Sequence, residues 1–154
     1  MTKVLFRYES NVLDEVVVET MWAEAVNDVD GIYKLDSIPF YGIQLAPGDE
    51  FIAEHSSAEG CLVYKRTTKH SGTSVILVVM MDKITSMESI RSTFRSLGCE
   101  SEGVNDNYFA MMIPQSVDYS SIKLKLQNLE DGGTIEYSET YLSSGHKNQI
   151  NKCI

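Results

Sequence analysis

Apolar and polar residues alternate in short runs along the first half of the chain, and Gly, Pro, Asn and Asp residues separate the runs. The runs are rich in β-branched and aromatic residues, which together with a period of two predicts β-strands. The predicted strands are 3–9, 16–26, 32–36, 50–55 and 61–67. Because no helical pattern comes between them, we predict a small bent antiparallel sheet or an SH3-like barrel.

The second half of the chain opens with a continuous apolar strand, 74–80, and then changes to a helical period. Apolar residues recur every three or four positions in two segments, which predicts two helices with one apolar face each. The two stripes are Met87, Ile90, Phe94 and Leu97, and Tyr119, Ile122, Leu126 and Leu129. The pattern Thr85-x-x-Glu88 predicts a capping box for the first helix, and Asp118 is the predicted cap of the second.

Three further strands are predicted around these helices, at 100–104, 107–113 and 134–141. The resulting order β-α-β-β-α-β is that of a ferredoxin-like sandwich, in which two helices cover one face of an antiparallel sheet. We therefore predict an α+β protein with an all-β subdomain at 1–72 and a ferredoxin-like subdomain at 73–142. The last segment, 143–154, is polar and lacks periodicity, so we predict a flexible tail there.

The net charge of −9 is unevenly distributed along the chain. The segment 143–154 contains two lysines and no acidic residue, so residues 1–142 carry −11. This charge repels nucleic-acid phosphates and anionic lipids, and it favours a basic protein partner. The N-terminal residues lack the apolar segment of a secretory signal, and no apolar run is long enough to span a bilayer. We therefore expect a cytoplasmic protein.

Sequence signatures of catalysis, cofactor binding and metal binding are missing. There is no G-x-S-x-G, no H-E-x-x-H, no phosphate-binding loop and no dinucleotide-binding glycine pattern. The three cysteines lack the C-x-x-C spacing of a zinc site. His70 and Ser71 are neighbours in sequence and point to opposite faces of a strand, so they are poorly placed to act as base and nucleophile. We therefore predict a protein that is not an enzyme and needs no cofactor or metal.

One region carries a pattern that resembles a known family. The pattern comprises Trp22-Ala23-Glu24, Tyr33-x-Leu35-Asp36-x-Ile38-Pro39-Phe40, Gly48-Asp49, Gly60, Leu62 and Ser71-Gly72-Thr73. It resembles the bacterial domain-of-unknown-function family 4265, best over residues 17–82. The resemblance implies that family's fold and a bacterial source. It implies no activity, because the family has none assigned.

The leading functional hypothesis is a stoichiometric inhibitor or immunity protein that occludes a basic bacterial partner, such as a nuclease toxin. An acidic body steers a binder onto the phosphate-binding surface of a nuclease, where carboxylates take the place of substrate phosphates. The predicted contact residues lie in loops or at strand ends of the first subdomain. They are Asp28, Asp30, Asp49, Glu50, Glu54 and Glu59.

Two alternatives stay open at the level of sequence. The first is a small-molecule sensor with a pocket between the subdomains, where large apolar groups beside the rigid Pro39 either fill the core or line a groove. The predicted pocket residues are Trp22, Tyr33, Phe40 and Tyr41. The second alternative is an enzyme that uses Asp36, Glu54 and His55 as acid and base groups. Each alternative requires its side chains to converge in the folded protein.

Overall fold

A computed structural model of the protein describes residues 1–10 and 12–151. The described residues form nine strands and three helices. The strands are β1 (Thr2–Glu9), β2 (Val16–Asn27), β3 (Ile32–Leu35), β4 (Glu50–Ser56), β5 (Cys61–Lys69), β6 (Ser74–Met80), β7 (Glu100–Asn105), β8 (Tyr108–Ile113) and β9 (Ile135–Tyr141), and the helices are α1 (Met87–Ser96), α2 (Tyr119–Asp131) and α3 (Ser144–Asn151). The predicted α+β class is confirmed. No helix in this described part of the chain is long and apolar enough to cross a lipid bilayer.

Tertiary contacts divide the chain into two compact units, Met1–Ser71 and Gly72–Ile154. The first, which we call the barrel unit, contains strands β1 to β5. The second, which we call the sandwich unit, contains strands β6 to β9 and the three helices. The sequence prediction placed the boundary one residue later, after residue 72.

The strands of the barrel unit form a closed barrel in the order β1-β2-β3-β4-β5. Each pair of consecutive strands is antiparallel. Since every strand reverses the direction of the previous one, the first and fifth strands run the same way. The barrel therefore closes through a parallel pairing of β1 with β5, in which Val4 lies opposite Leu62 and Leu5 opposite Val63. Of the two predicted forms, the barrel is the one observed.

The interior of the barrel is built from the inward-facing residue of each alternating pair. These side chains form one apolar cluster with the loop before β4, comprising Val4, Phe6, Met21, Ala23, Tyr33, Leu35, Ile43, Leu45, Phe51 and Ala53. Aromatic rings occupy its centre, because Phe51 contacts Phe6 with ring centroids 5.3 Å apart and Tyr64 with centroids 5.6 Å apart. A closed wall around a filled interior gives the unit a rigid outer surface.

The sandwich unit contains a four-stranded sheet in the order β7-β8-β6-β9, and all its pairings are antiparallel. With the helices, this order is the ferredoxin-like arrangement expected from the sequence. The helices pack on the sheet through their apolar stripes, and Phe94, Ile122 and Leu126 are fully or almost fully buried in the core. Leu97 differs from the prediction: it caps the end of α1 and is 44% exposed.

The first helix begins one residue later than the sequence pattern indicated. Its N-cap is Ser86, whose hydroxyl accepts a hydrogen bond from the backbone N–H of Ser89. Thr85 instead donates its hydroxyl to the carboxylate of Asp82, at 2.7 Å. Asp82 therefore closes a tight turn before the helix, and this local pairing competes with the capping box for Thr85. Asp118 caps α2 as predicted.

The predicted flexible tail is wrong for residues 143–151. These residues continue β9 into α3, and His146 is 99% buried. The hydroxyl of Ser74 pairs with Nδ1 of His146 at 2.6 Å, and Nε2 of His146 pairs with the carbonyl of Val117 at 3.1 Å. Buried hydrogen bonds thus hold a segment that has little apolar surface of its own. The rest of the predicted tail, 152–154, lies outside the described residues.

Candidate functional site

The outer face of β2 carries apolar side chains that the barrel does not use in its core. Alternation along the strand directs Met21 and Ala23 inward and their neighbours outward. The outward residues Val16, Val18 and Trp22 are 66%, 51% and 46% exposed. We call these three residues the β2 row. Their pairing with β1 is free of register shifts, so the row lies on a regular stretch of sheet.

Cationic side chains of β1 border the β2 row. Lys3 lies opposite Trp22, and its ammonium sits 5.0 Å from the centre of the indole ring. Arg7 lies opposite Val18, and its guanidinium pairs with Glu59 at 2.8 Å. The cation over the ring restricts the orientation of the tryptophan, which reduces the entropy that the side chain loses on binding.

An acidic turn follows β2 directly and contains two of the predicted contact residues. Asp30 accepts a hydrogen bond from the side-chain amide of Asn27 at 2.8 Å, which fixes the turn, and Asp28 is also exposed. The carbonyl of Gly31 accepts a hydrogen bond from the N–H of Ala53 at 3.0 Å. This bond brings Glu54, the exposed residue after Ala53, to the same end of the barrel. Three predicted contact carboxylates are therefore exposed at this end of the barrel.

Asp49 is not available to a partner, and its prediction as a contact residue is wrong. The side chain is completely buried. Its carboxylate accepts hydrogen bonds from the N–H groups of Ala46 at 3.0 Å and Ser71 at 2.8 Å, and from the hydroxyl of Ser71 at 3.0 Å. It also pairs with Nδ1 of His70 at 3.0 Å. Asp49 therefore fastens the turn after β5 to the loop before β4.

The remaining two predicted contact residues already have partners. Glu50 is half-buried and lies 4.0 Å from the ammonium of Lys69. Glu59 is exposed and forms the ion pair with Arg7. Exposed ion pairs contribute little to stability, so both carboxylates can exchange partners at small cost. They stay weaker predictions than Asp28, Asp30 and Glu54.

The four residues of the predicted ligand pocket do not line one pocket. Tyr33 belongs to the barrel core and stacks near Phe51, with ring centroids 6.2 Å apart. Trp22 points to the opposite side of the barrel wall. Phe40 and Tyr41 are half-buried and contact each other edge to face, with centroids 6.2 Å apart. Because Trp22 and Tyr33 lie on opposite faces of the wall, the pocket prediction is wrong in its residues.

The structure does not bring together the groups of the predicted acid–base set. Glu54 and His55 are neighbours on β4 and therefore point to opposite sides. Asp36 follows β3, beyond the point where Lys34 pairs with Glu50, at the other end of β4 from Glu54. Among residues 1–10 and 12–151, no group of three or more His, Cys, Asp or Glu side chains is placed to hold a metal ion.

Sequence reasoning missed one buried carboxylate, that of Glu19. It faces the barrel interior and is 6% exposed. It accepts hydrogen bonds from the hydroxyl of Tyr8 at 2.5 Å and from the N–H of Phe40 at 2.9 Å. Burial raises the pKa of this carboxyl above its ordinary value, although both hydrogen bonds oppose the shift. The alternation of residues along β2 could have predicted this burial, because Glu19 lies on the same face of the strand as Met21 and Ala23.

The model of one protein family, described as "Domain of unknown function (DUF4265)", matches residues 19–137. The match begins within β2 and ends within β9, so it spans most of the chain and both units. The chain belongs to this family. The resemblance read from Trp22-Ala23-Glu24 and the segments after it is thereby confirmed, and it extends further than residues 17–82.

This DUF4265 chain is also similar to a solved structure, described as a hypothetical protein from Neisseria gonorrhoeae. The two share 20% sequence identity with a TM-score of 0.78, and the alignment covers 93% of this chain and 96% of the other. At that identity the likeness shows a shared fold alone. No curated protein matches the chain.

Proposed function

We propose that the protein is a non-catalytic protein-binding module, of the immunity or inhibitor type, that occludes a basic partner such as a bacterial nuclease toxin. The observation that carries the proposal is the β2 row. Val16 and Val18 are successive outward residues of the strand, and Trp22 follows beyond the exposed Thr20. Contiguous apolar patches on the surface of a folded domain often mark an interaction site. Tryptophan and arginine are also the residue types that contribute most at protein interfaces, and Trp22 and Arg7 both lie on this face.

The charge of the surrounding surface supports a basic partner. The acidic turn follows the same strand, and Asp28, Asp30 and Glu54 are exposed there. Residues 1–142 carry −11, so the whole molecule attracts a basic protein from a distance. In this arrangement the carboxylates steer the encounter and the β2 row supplies the buried apolar contact.

A cytoplasmic location is part of the same proposal. The free cysteines Cys61 and Cys99 fit a reducing compartment, since thiols stay reduced there. Cys99 is buried, and burial raises the pKa of its thiol to about 12, so it stays protonated and unreactive.

The proposal is tested by capturing partners from the native cell with the wild-type protein and with two variants that add the same charge. Val18→Asp places a carboxylate in the β2 row, whereas Ile84→Asp places one before α1, at a residue that is 98% exposed. We expect a basic protein at one-to-one stoichiometry with the wild type and with Ile84→Asp, and its loss with Val18→Asp. Equal recovery with all three proteins excludes the β2 row as the interface.

The electrostatic part of the proposal is tested separately by association kinetics with the captured partner. Reversing Asp28 and Asp30 to Lys is expected to slow association, because it replaces attraction with repulsion at the encounter. The matched control reverses Glu100 and Glu102, two exposed residues of β7, and changes the net charge equally. An association rate that is unaffected by salt contradicts steering, since exposed charges are screened within about 10 Å at 0.1 M ionic strength.

A further inference from the structure

The sandwich unit contains a cleft of about 520 Å³ where α2 ends and β9 begins. Its lining residues are Met81, Glu130, Gly133, Ile135, Glu136 and Tyr137. We propose that this cleft binds an organic cation, a primary amine or a guanidinium on a short apolar chain. The site is separate from the β2 row, and the inference does not rest on the function proposed above.

The backbone fixes the walls of the cleft. The N–H of Gly133 donates to the carbonyl of Glu130 at 3.0 Å, and the N–H of Thr134 donates to the carbonyl of Leu129 at 2.9 Å, which ends α2 in a tight turn. The N–H of Met81 donates to the carbonyl of Thr134 at 2.9 Å. Because β9 continues from this point, the first residues of the strand are held beside both the helix end and Met81.

The electrostatics of the helix end favour a positive ligand. A helix C-terminus carries a partial negative charge, and basic side chains in the last turn usually compensate it. The last turn of α2 contains no basic residue and instead carries Glu130 and Asp131. None of the described residues that line the cleft is basic. A bound cation would therefore reduce the repulsion between the negative end of the helix and the carboxylates of Glu130 and Asp131.

The two carboxylates of the cleft differ in how they are held. Glu130 accepts a hydrogen bond from the N–H of Tyr137 at 3.3 Å, which directs its carboxylate towards the start of β9. Glu136 is exposed, and its side chain has no ion pair or hydrogen bond within the described part of the chain. Glu130 is thus held in place, and Glu136 at the rim is not held by another side chain, so both carboxylates have acceptor oxygens left for a donor with several N–H groups.

The remaining walls suit the apolar part of such a ligand. Tyr137 provides an aromatic ring, whose hydroxyl donates to the side-chain carbonyl of Gln127 at 3.1 Å and whose centre lies 5.9 Å from the ammonium of Lys123. The nearby Lys123 does not occupy the carboxylates of the cleft, because its ammonium pairs with Glu139 at 3.0 Å. Met81 is half exposed and contributes a flexible thioether that adapts to an alkyl chain.

The inference is tested with agmatine, which carries an amine, a guanidinium and a four-carbon chain. We expect saturable shifts of the backbone amide signals of residues 133–137 in NMR titrations. The double variant Glu130→Gln with Glu136→Gln is expected to raise the dissociation constant about tenfold or more, a change of about 1.4 kcal/mol. The matched control is Glu100→Gln with Glu102→Gln, which removes the same charge from exposed positions on β7 at the opposite edge of the sheet.

A second probe distinguishes a free metabolite from the side chain of a protein partner. It is an end-capped pentapeptide, Gly-Ser-Arg-Ser-Gly, that presents one guanidinium on an ordinary backbone. Binding of both probes supports a cleft that takes an arginine side chain, and binding of agmatine alone supports a cleft for a free amine. The inference is overturned if neither probe shifts residues 133–137 at millimolar concentration, or if the control variant weakens binding as much as the double variant.

Discussion

The two units use the alternation of apolar and polar residues differently. In the sandwich unit, the helix stripes face the core, and Phe94, Ile122 and Leu126 are buried where the spacing predicts. In the barrel unit, β2 departs from this rule on both faces. A carboxylate, that of Glu19, points inward, and the β2 row points outward.

These departures are costly for folding alone. A buried carboxylate loses its hydration, and an apolar row in water forgoes the stabilisation that burial would give. Natural sequences tend to keep such conflicts where a function requires them. In the sandwich unit, the requirements of folding account for the positions of the apolar residues. In β2 they do not account for the buried Glu19 or for the exposed β2 row.

The largest effect is expected in the core of the sandwich unit. Phe94→Ala and Leu126→Ala should each lower the free energy of unfolding by about 2–5 kcal/mol, because each removes a fully buried side chain. Lys125→Ala, an exposed neighbour on α2, should cost about 0.5 kcal/mol or less. Urea unfolding of the three variants measures the difference. Equal costs for all three would contradict the packing of the helices on the sheet.

Arg91 and Lys123 lie off the apolar stripes of their helices, which suggests that replacing them would cost little stability. Their contacts indicate a larger cost. Arg91 donates hydrogen bonds to the hydroxyl and the carbonyl of Ser101, both at 2.9 Å. Lys123 pairs with Glu139. Helical spacing reveals which side chains face the core. It does not reveal which strand residues, distant in sequence, meet the edge of a helix.

The next largest effect is expected at the buried histidine of α3. His146→Ala leaves the hydroxyl of Ser74 and the carbonyl of Val117 without their present partner. A buried polar group that loses its hydrogen bond costs about 1–3 kcal/mol, so the variant should unfold at clearly lower urea concentration. Lys147→Ala, the exposed next residue, is the control. A stability equal to that of the control would show that α3 is held by other contacts.

The prediction failed at α3 for a physical reason. A helix is recognised in sequence by its apolar period, and α3 has none, since its buried side chain is a histidine. Its docking depends on Ser74, which is 72 positions earlier in the chain. Asp49 was also mispredicted, as an exposed residue that the structure shows to be buried. A Pro-Gly-Asp turn indicates an exposed carboxylate, but the turn at Ser71, 22 positions later, folds back and buries it.

A smaller effect, with a defined sign, is expected at Glu19. Because burial raises the pKa of this carboxyl in the folded state, the folded protein favours its protonated form. The associated stability is fully present below the pKa of the unfolded chain and is lost as the pH rises through the pKa of the folded state. Glu19→Gln keeps partners for Tyr8 and Phe40 without the charge, so it should remove this loss.

The measurement is the free energy of unfolding of wild type and variant between pH 4 and pH 8. We expect the advantage of Glu19→Gln over wild type to grow as the pH rises. Glu24→Gln, at an exposed position of the same strand, is the control and should follow the wild-type curve. An advantage that does not change with pH would show that folding does not shift the pKa of Glu19.

The smallest effect on stability is expected in the β2 row. Val16→Ala and Val18→Ala should each change the free energy of unfolding by about 0.5 kcal/mol or less, because both side chains are largely exposed. Met21→Ala, on the inward face, should cost about 2–5 kcal/mol. Urea unfolding measures these costs. If Val18→Ala lowered the free energy of unfolding as much as Met21→Ala, the two faces of β2 would not differ as described.

The parallel seam between β1 and β5 also constrains when the barrel is able to form. Val4 pairs with Leu62, 58 positions later, so the wall stays open until β5 has been synthesised. Contacts of such sequence separation form slowly, because the intervening chain must be ordered first. During synthesis β1 and β2 are able to pair early, with the apolar residues of both faces exposed. Until β5 is available to close the wall, the apolar residues of β1 and β2 have no barrel interior to pack into, and this interval is when a nascent chain most needs protection from aggregation.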